Sequence, residues 1–228
     1  MKIIFLNTWH GKVEDAFVDF IKENIPSTDV FCFQESDDKV RDMLKDYLVD
    51  YQPIRGGKTT ANTSYTESMY VKKDIEIVSS NMLFERVDEE GFGIYAEVTK
   101  DGTTIHIVNF HGEPVHDKLD TPETIKHSQE IAALLKDKEG LKVIGGDFNV
   151  SEKTKSVNLF EDIGYRDLIE EYEIPTTRNR LSWERFPSKM FFSDYVFTSP
   201  EVQVKSFVVP DIEISDHLPM IIEIALKG

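Results

Sequence analysis

The stretch Leu141-Lys-Val-Ile-Gly-Gly-Asp-Phe-Asn149 decides how the rest of the chain is read. Val143-Ile144 is an apolar run of the kind expected in a buried strand, and Gly145-Gly146 lets the backbone turn tightly at its end. Asp147 and Asn149 stand two residues apart. If the extended conformation persists to that point, both side chains project from the same side, because Cβ atoms alternate along a strand. A carboxylate and an amide, with no bulky Cβ just upstream, suit a site that handles a phosphate and a hard metal ion, which prefers oxygen ligands. A polar turn after a core strand is the plain alternative for this stretch taken alone.

Outward from this stretch, residues 2–6 read as a first buried strand ending at Asn7-Thr8-Trp9, and 30–33 as a second ending at Gln34-Glu35. Between them Val13, Ala16, Phe17, Phe20 and Ile21 recur at helical spacing. Ser36 is expected to cap the next helix, with Asp37 and Asp38 in its first turn. Short runs rich in Val, Ile, Tyr and Phe follow at 47–54, 68–71, 75–84, 92–98 and 103–110. Asp101-Gly102 marks a hairpin between the last two, while the polar segment 56–64 reads as a mobile loop. Thr121-Pro122 opens a long helix by N-cap and first-turn proline. Val157, Leu159 and Phe160 suggest a short helix, and 181–183, 195–197, 202–209 and 220–224 read as extended. No repeat and no linker divides the chain. One domain over 1–228 is expected, built from two β-sheets packed face to face with helices outside.

Composition narrows the function classes. The 26 Lys and Arg against 42 Asp and Glu give a net charge of −16, which repels a phosphate backbone at long range, so nucleic acid is a possible but disfavoured partner. The single cysteine, Cys32, lies in an apolar run and excludes an intrachain disulfide. No stretch approaches the ~18 apolar residues of a membrane span. The start Met1-Lys-Ile-Ile-Phe-Leu6 is too short for a signal peptide, so a cytoplasmic monomer is expected.

The unusual polar residues fall at or just beyond the apolar runs: Asn7, Glu35, His111, Asp147 with Asn149, Asp194, and Asp216 with His217. Functional groups gather where core strands hand over to loops, because a rigid scaffold fixes loops that reach a ligand. In this order Asn7, Gln34-Glu35, Asn109-Phe110-His111, Gly146-Asp147-Phe148-Asn149, Ser193-Asp194-Tyr195 and Ser215-Asp216-His217-Leu218-Pro219 resemble the motifs of the endonuclease/exonuclease/phosphatase superfamily, over residues 4–222. The resemblance implies an α+β, four-layer α/β/β/α sandwich. It also implies metal-dependent hydrolysis of a phosphate ester with Mg²⁺ or Mn²⁺.

By the same resemblance Glu35 is the principal metal ligand, and Asn7 and Asp216 lie at or next to the metal. His217 meets the scissile phosphate, Asp194 holds its ring, and Asn149 donates to the phosphoryl oxygens. Either Asp147 or His217 is the base. His111 resembles the histidine that serves the leaving group in the deoxyribonuclease-type and sphingomyelinase-type branches, and Glu67 the glutamate that partners it in the former; an exposed loop glutamate is the alternative. Arg178, helped by Asn179, could clamp a substrate phosphate by its planar fork, or be a surface arginine. Trp9 stands where DNA-repair members often carry an aspartate, which points toward small-molecule, lipid or RNA-end substrates. His10, His106, His116 and His127 have no motif around them and read as surface or structural. The activity expected is that of a phosphodiesterase, with a phosphomonoesterase or an inactive binding module of the same fold as alternatives.

Overall fold

In the computed structural model, β1 (Lys2–Asn7) shows how one strand serves two layers. Ile3 and Phe5 enter one hydrophobic cluster and Ile4 and Leu6 another, as alternation along a strand requires. The second cluster is completed by Phe17, Phe20 and Ile21 of α1 (Glu14–Asn24) and by Val40 and Leu44 of α2 (Asp38–Leu44), which cover the outer face of the first sheet. The first cluster is the interior between the sheets and beyond. The structure describes residues 1–60, 63–84, 92–185 and 189–226, without the side chains of 56–60, 63–65 and 92.

The first sheet also contains β2 (Val30–Gln34), β3 (Tyr51–Thr60), β4 (Thr63–Lys72), β11 (Val204–Val208) and β12 (Met220–Ile224), in the order β11-β12-β1-β2-β4-β3. The second is built from β5 (Glu76–Leu83), β6 (Phe92–Lys100), β7 (Thr103–His111), β8 (Leu141–Asp147), β9 (Arg166–Asp167) and β10 (Asp194–Thr198), in the order β5-β6-β7-β8-β10-β9. Ile131 and Leu135 of α3 (Pro122–Leu135) and Val157 and Phe160 of α4 (Lys155–Asp162) are buried against it. Two shorter helices, α5 (Leu168–Glu171) and α6 (Arg180–Arg185), complete the elements. Both sheets are mixed, and together with the helices they form a four-layer α/β/β/α sandwich.

Strand direction brings the polar residues to one edge. β1 and β2 run parallel, as do β7 and β8, so Asn7, Glu35, His111 and Asp147 leave the sheets at corresponding ends. β10 and β12 run antiparallel to β8 and β1, so Asp194 lies opposite Asp147 and Asp216-His217 arrive at the same edge just before β12. Beneath that edge the sheets are tied by polar groups: the Gln34 amide donates to Asn109 Oδ1, and Asn109 Nδ2 donates to the Phe33 carbonyl at 3.1 Å. Gly145 is needed for the close approach of the sheets, since a Cβ there would lie 2.8 Å from the Phe5 ring.

Three local expectations differ from the structure. The cap of α2 is Asp37, whose Oδ1 accepts from the Val40 N–H at 3.1 Å, whereas Ser36 is buried and its hydroxyl accepts from Ser68 Oγ at 2.6 Å. Residues 181–183 are helical rather than extended, because Asn179 Oδ1 accepts the Leu181 N–H at 3.0 Å and turns the chain locally. The segment read as a mobile loop at 56–64 continues the β3–β4 ladder out to Thr60 opposite Thr63, except that residues 61 and 62 lie outside the described residues. Among the described residues no helix is long and apolar enough to cross a membrane.

Candidate active site

Asn7, buried at the end of β1, forms the floor. Its Nδ2 donates to Glu35 Oε1 at 3.3 Å and to Asp147 Oδ2 at 3.1 Å, joining the two sheets' carboxylates through one amide. The amide cannot flip, because its Oδ1 accepts from the Trp9 N–H at 3.0 Å. Glu35 stands in left-handed backbone at φ 51°, held by the Thr8 hydroxyl, which donates to the Glu35 carbonyl at 2.8 Å.

One wall carries His217. Its Nδ1 donates to Asp194 Oδ1 at 2.8 Å, and Asp194 Oδ2 is fixed by the hydroxyls of Ser193 (2.8 Å) and Thr177 (3.0 Å). His217 Nε2 lies 3.6 Å from Asp147 Oδ2 and accepts from Arg178 Nη1. Arg178 is 5% exposed, so it is no surface residue; it also donates to Ser182 Oγ (2.9 Å) and Asp216 Oδ2 (3.3 Å). Asn179 does not face this cluster through its amide but donates to the Ser215 carbonyl at 2.7 Å, which holds the loop that carries Asp216 and His217.

The opposite wall follows β8. The left-handed turn at Asn149 (φ 57°) brings its N–H to Asp147 Oδ1 at 2.9 Å. Asn149 Nδ2 donates to the Gly112 carbonyl at 2.9 Å and its Oδ1 accepts from Lys118. On β7, His111 sits opposite Asp147 in the strand register, and its Nδ1 meets Glu67 Oε1 at 3.3 Å. Glu67 is fully buried, not the exposed loop residue of the alternative reading.

These contacts set the charges. Burial opposes ionisation of Asp147, but His217, His111, Lys118 and Arg178 around it hold its carboxyl at about 2. Burial likewise opposes a charge on His111, and is outweighed by the hydrogen bond to Glu67 and by Asp147 and Glu35, which lift the ring to about 9. The Glu67 carboxyl is raised by burial against the pull of His111. For His217, burial and Arg178 disfavour the charged ring, yet Asp194, Asp147 and Asp216 carry it upward.

A divalent cation has a fitting set of donors here. Ligand atoms of Asp147, Asp194 and His217 lie within 4.8 Å of one another. Asp194 is nonetheless spent on His217, Ser193 and Thr177, and a hard cation favours oxygen. Glu35, whose Oε1 meets the Asn7 amide, and Asp216 offer further carboxylate oxygens to the same cleft. Asp216 Oδ1 is buried, lies 3.8 Å from His217 Nε2 and has no hydrogen-bond partner among the described residues, which leaves it open to a further ligand.

Glu35, Asp147, Asn149, Arg178, Asp216 and His217 face a cleft of about 790 Å³, which is also lined by Trp9, His10, Lys12, His116, Lys118 and Arg185. Asn7, Glu67, His111 and Asp194 are buried behind its wall. Sequence reasoning set His10 aside, but its Nε2 lies 3.2 Å from Glu35 Oε2 and its Nδ1 3.2 Å from Asp37 Oδ2. The signal available for it was adjacency to the Asn7 motif. Lys118 carried none beyond its place in the loop after His111. Lys12 and Arg185 lie over the Trp9 ring, 4.5 and 4.9 Å from its centroid. The Trp183 and Phe191 rings meet at a tilt of 54°, their centroids 5.5 Å apart.

The fold has solved counterparts. An endonuclease/exonuclease/phosphatase protein of Bacteroides vulgatus superimposes with a TM-score of 0.77 at 17% identity, covering 99% of this chain and 98% of that one. A humanized TDP2 of D. rerio bearing 14 mutations gives 0.77 at 16% identity over 99% of each chain. The mannosyl-6-phosphatase of Bacteroides thetaiotaomicron gives 0.75 at 17% identity, covering 99% and 100%. No curated protein sequence matches the chain. Residues 4–217 match the sequence pattern of a single family, and the strand-end residues described above fall inside that match: the chain belongs to the Endonuclease/Exonuclease/phosphatase family.

Proposed function

We propose that this protein hydrolyses phosphate diesters with a divalent cation, Mg²⁺ or Mn²⁺, held by Glu35 and Asp216 beside Asn7. When bound, that ion supplies charge neutralisation at a phosphoryl oxygen and at the leaving oxygen. The observation that carries the reading is one atom, Asp147 Oδ2. It lies 3.1 Å from the Asn7 amide of the cation site and 3.6 Å from His217 Nε2, so both halves of the chemistry share one point.

His217 is the base in this reading. Asp147, held at about 2, is a weak base, and both its oxygens already accept hydrogen bonds. Nδ1–H of His217 is fixed on Asp194, which leaves Nε2 to take the proton of the attacking water once Arg178 turns to the phosphate. Asn149 has one Nδ2 proton beyond that given to Gly112, and donates it to a phosphoryl oxygen. His111, charged at neutral pH, hands a proton to the leaving oxygen, and Glu67 orients it.

The test is hydrolysis of bis-p-nitrophenyl phosphate in saturating Mg²⁺. Chelation by EDTA and Glu35→Ala are each expected to lower kcat/KM by at least ~10²-fold. Activity unchanged by both overturns the reading. A phosphomonoesterase is the second reading, favoured by the basic lining of Lys12, Lys118, Arg178 and Arg185, which suits a doubly charged group in a protein of net charge −16. Relative rates on p-nitrophenyl phosphate and its diester decide between the two.

A further inference from the structure

Lys118 is a buried cation whose partner is a neutral amide. It is 9% exposed, and its Nζ donates to Asn149 Oδ1. That bond uses one of three ammonium protons, and no described carboxylate forms an ion pair with it. Burial opposes the charge, Asp147, Asp194 and Glu35 attract it only from beyond contact distance, and two ammonium protons have no acceptor among the described residues. Such groups are retained where an anion completes the site. The side chain is aimed deliberately. Lys118 adopts φ 56°, its N–H donates to the Val115 carbonyl at 3.3 Å, and its carbonyl accepts from the Ser151 N–H at 2.7 Å. The loops after β7 and β8 are thereby pinned to each other with the ammonium in the cleft. Because a lysine only donates, it also forces Asn149 Oδ1 to face it, which fixes Nδ2 on the other side.

The geometry points to Lys118 as a catalytic residue whose ammonium contacts a non-bridging oxygen of the phosphoryl group under attack, next to Asn149. This rests on the phosphoesterase reading of the cleft. Attack by water builds negative charge on the non-bridging oxygens, and a fixed cation in a water-poor wall stabilises that charge more than the ground state. Lys118 acts from beside Asn149, in the cleft that Glu35 and Asp216 also line.

Lys118→Gln keeps a donor toward Asn149 but removes the charge. Its kcat/KM on bis-p-nitrophenyl phosphate is expected to fall about 10²-fold, with Lys118→Arg retaining more and the Mg²⁺ titration midpoint unmoved. In an Asn149→Gly background, chosen because glycine suits the positive φ, Lys118→Gln should still cost at least ~10-fold, since the contact is with the phosphoryl group itself. Inorganic phosphate with Mg²⁺ should raise the Tm of the unsubstituted protein and not that of Lys118→Gln. The inference is overturned if Lys118→Gln stays within about threefold of the parent, or if phosphate stabilises both proteins alike. It is also overturned if the substitution costs nothing further beside Asn149→Gly, which would make Lys118 a positioning residue. Should the parent hydrolyse no ester, the phosphoesterase reading falls, while phosphate stabilisation lost in Lys118→Gln still upholds the contact.

Discussion

Arg178 meets His217 twice: their backbones form an isolated antiparallel bridge, and the guanidinium rests against the imidazole. A guanidinium only donates, so the ring nitrogen it faces must present a lone pair. With Nδ1–H given to Asp194, that nitrogen is Nε2. Nε2 is thus capped by the guanidinium, and an anion that draws the guanidinium away would uncap it.

Arg178→Met removes both the cap and the fork. Loss of about 10²-fold in kcat/KM on a diester substrate is expected. Because Arg178 disfavours the charged ring, its removal raises the His217 pKa, so the acidic limb of the pH profile should move to higher pH. A limb that stays in place in a stopped-assay pH series counts against the capping relationship.

His111 titrates at about 9 in the fold against an ordinary 6.5. A raised histidine contributes stability that is complete below about pH 6.5 and is lost as pH rises through about 9. Activity that needs its proton should fall over the upper part of that window. Glu67→Gln takes away the main partner, and the alkaline limb of kcat is expected to shift toward neutral pH.

Asp167 offers a test away from the cleft. It caps α5 by accepting the Ile169 N–H at 2.8 Å, and burial lifts its carboxyl from 3.8 to about 7. The native state thus keeps a proton that the unfolded chain releases, and stability falls as pH rises from about 4 to about 7. Asp167→Asn keeps the acceptor without the charge. Urea unfolding at pH 8 should show a gain of about 1–3 kcal/mol that vanishes near pH 4.

Gly146 is held at φ 135°, where a Cβ would come within 2.0 Å of the Phe110 carbonyl oxygen. Gly146→Ala is expected to cost about 3 kcal/mol or more, read as a lower urea midpoint. The damage should reach the site as well, because Asp147 and Phe148 follow directly.

Legibility in the sequence tracked how local each cause is. Asp147, Asn149, Asp216 and His217 were readable because each follows or precedes an apolar run whose alternation fixes a strand. The helix at 180–185 was not, because one Asn179 side-chain bond outweighs the extended look of Leu181 to Trp183. Arg178 read equally well as a surface residue; Ser182, Asp216 and His217 bury it, and their convergence is a tertiary fact. Lys118 was invisible for the same reason, since a hydrogen bond from Ser151, in a distant loop, is what fixes it. His10 gains its contacts with Glu35 and Asp37 only once β1 and β2 lie side by side.

The place of β12 beside β1 makes the cluster depend on residues far apart along the chain. Asp216 and His217 immediately precede β12, which pairs with β1, and the Ser215 hydroxyl donates to the Asn7 carbonyl at 2.7 Å across 208 positions of sequence. A single backbone cut between β11 and Ser215 therefore leaves Asn7 and the Asp216-His217 pair on separate fragments, held in register by that ladder.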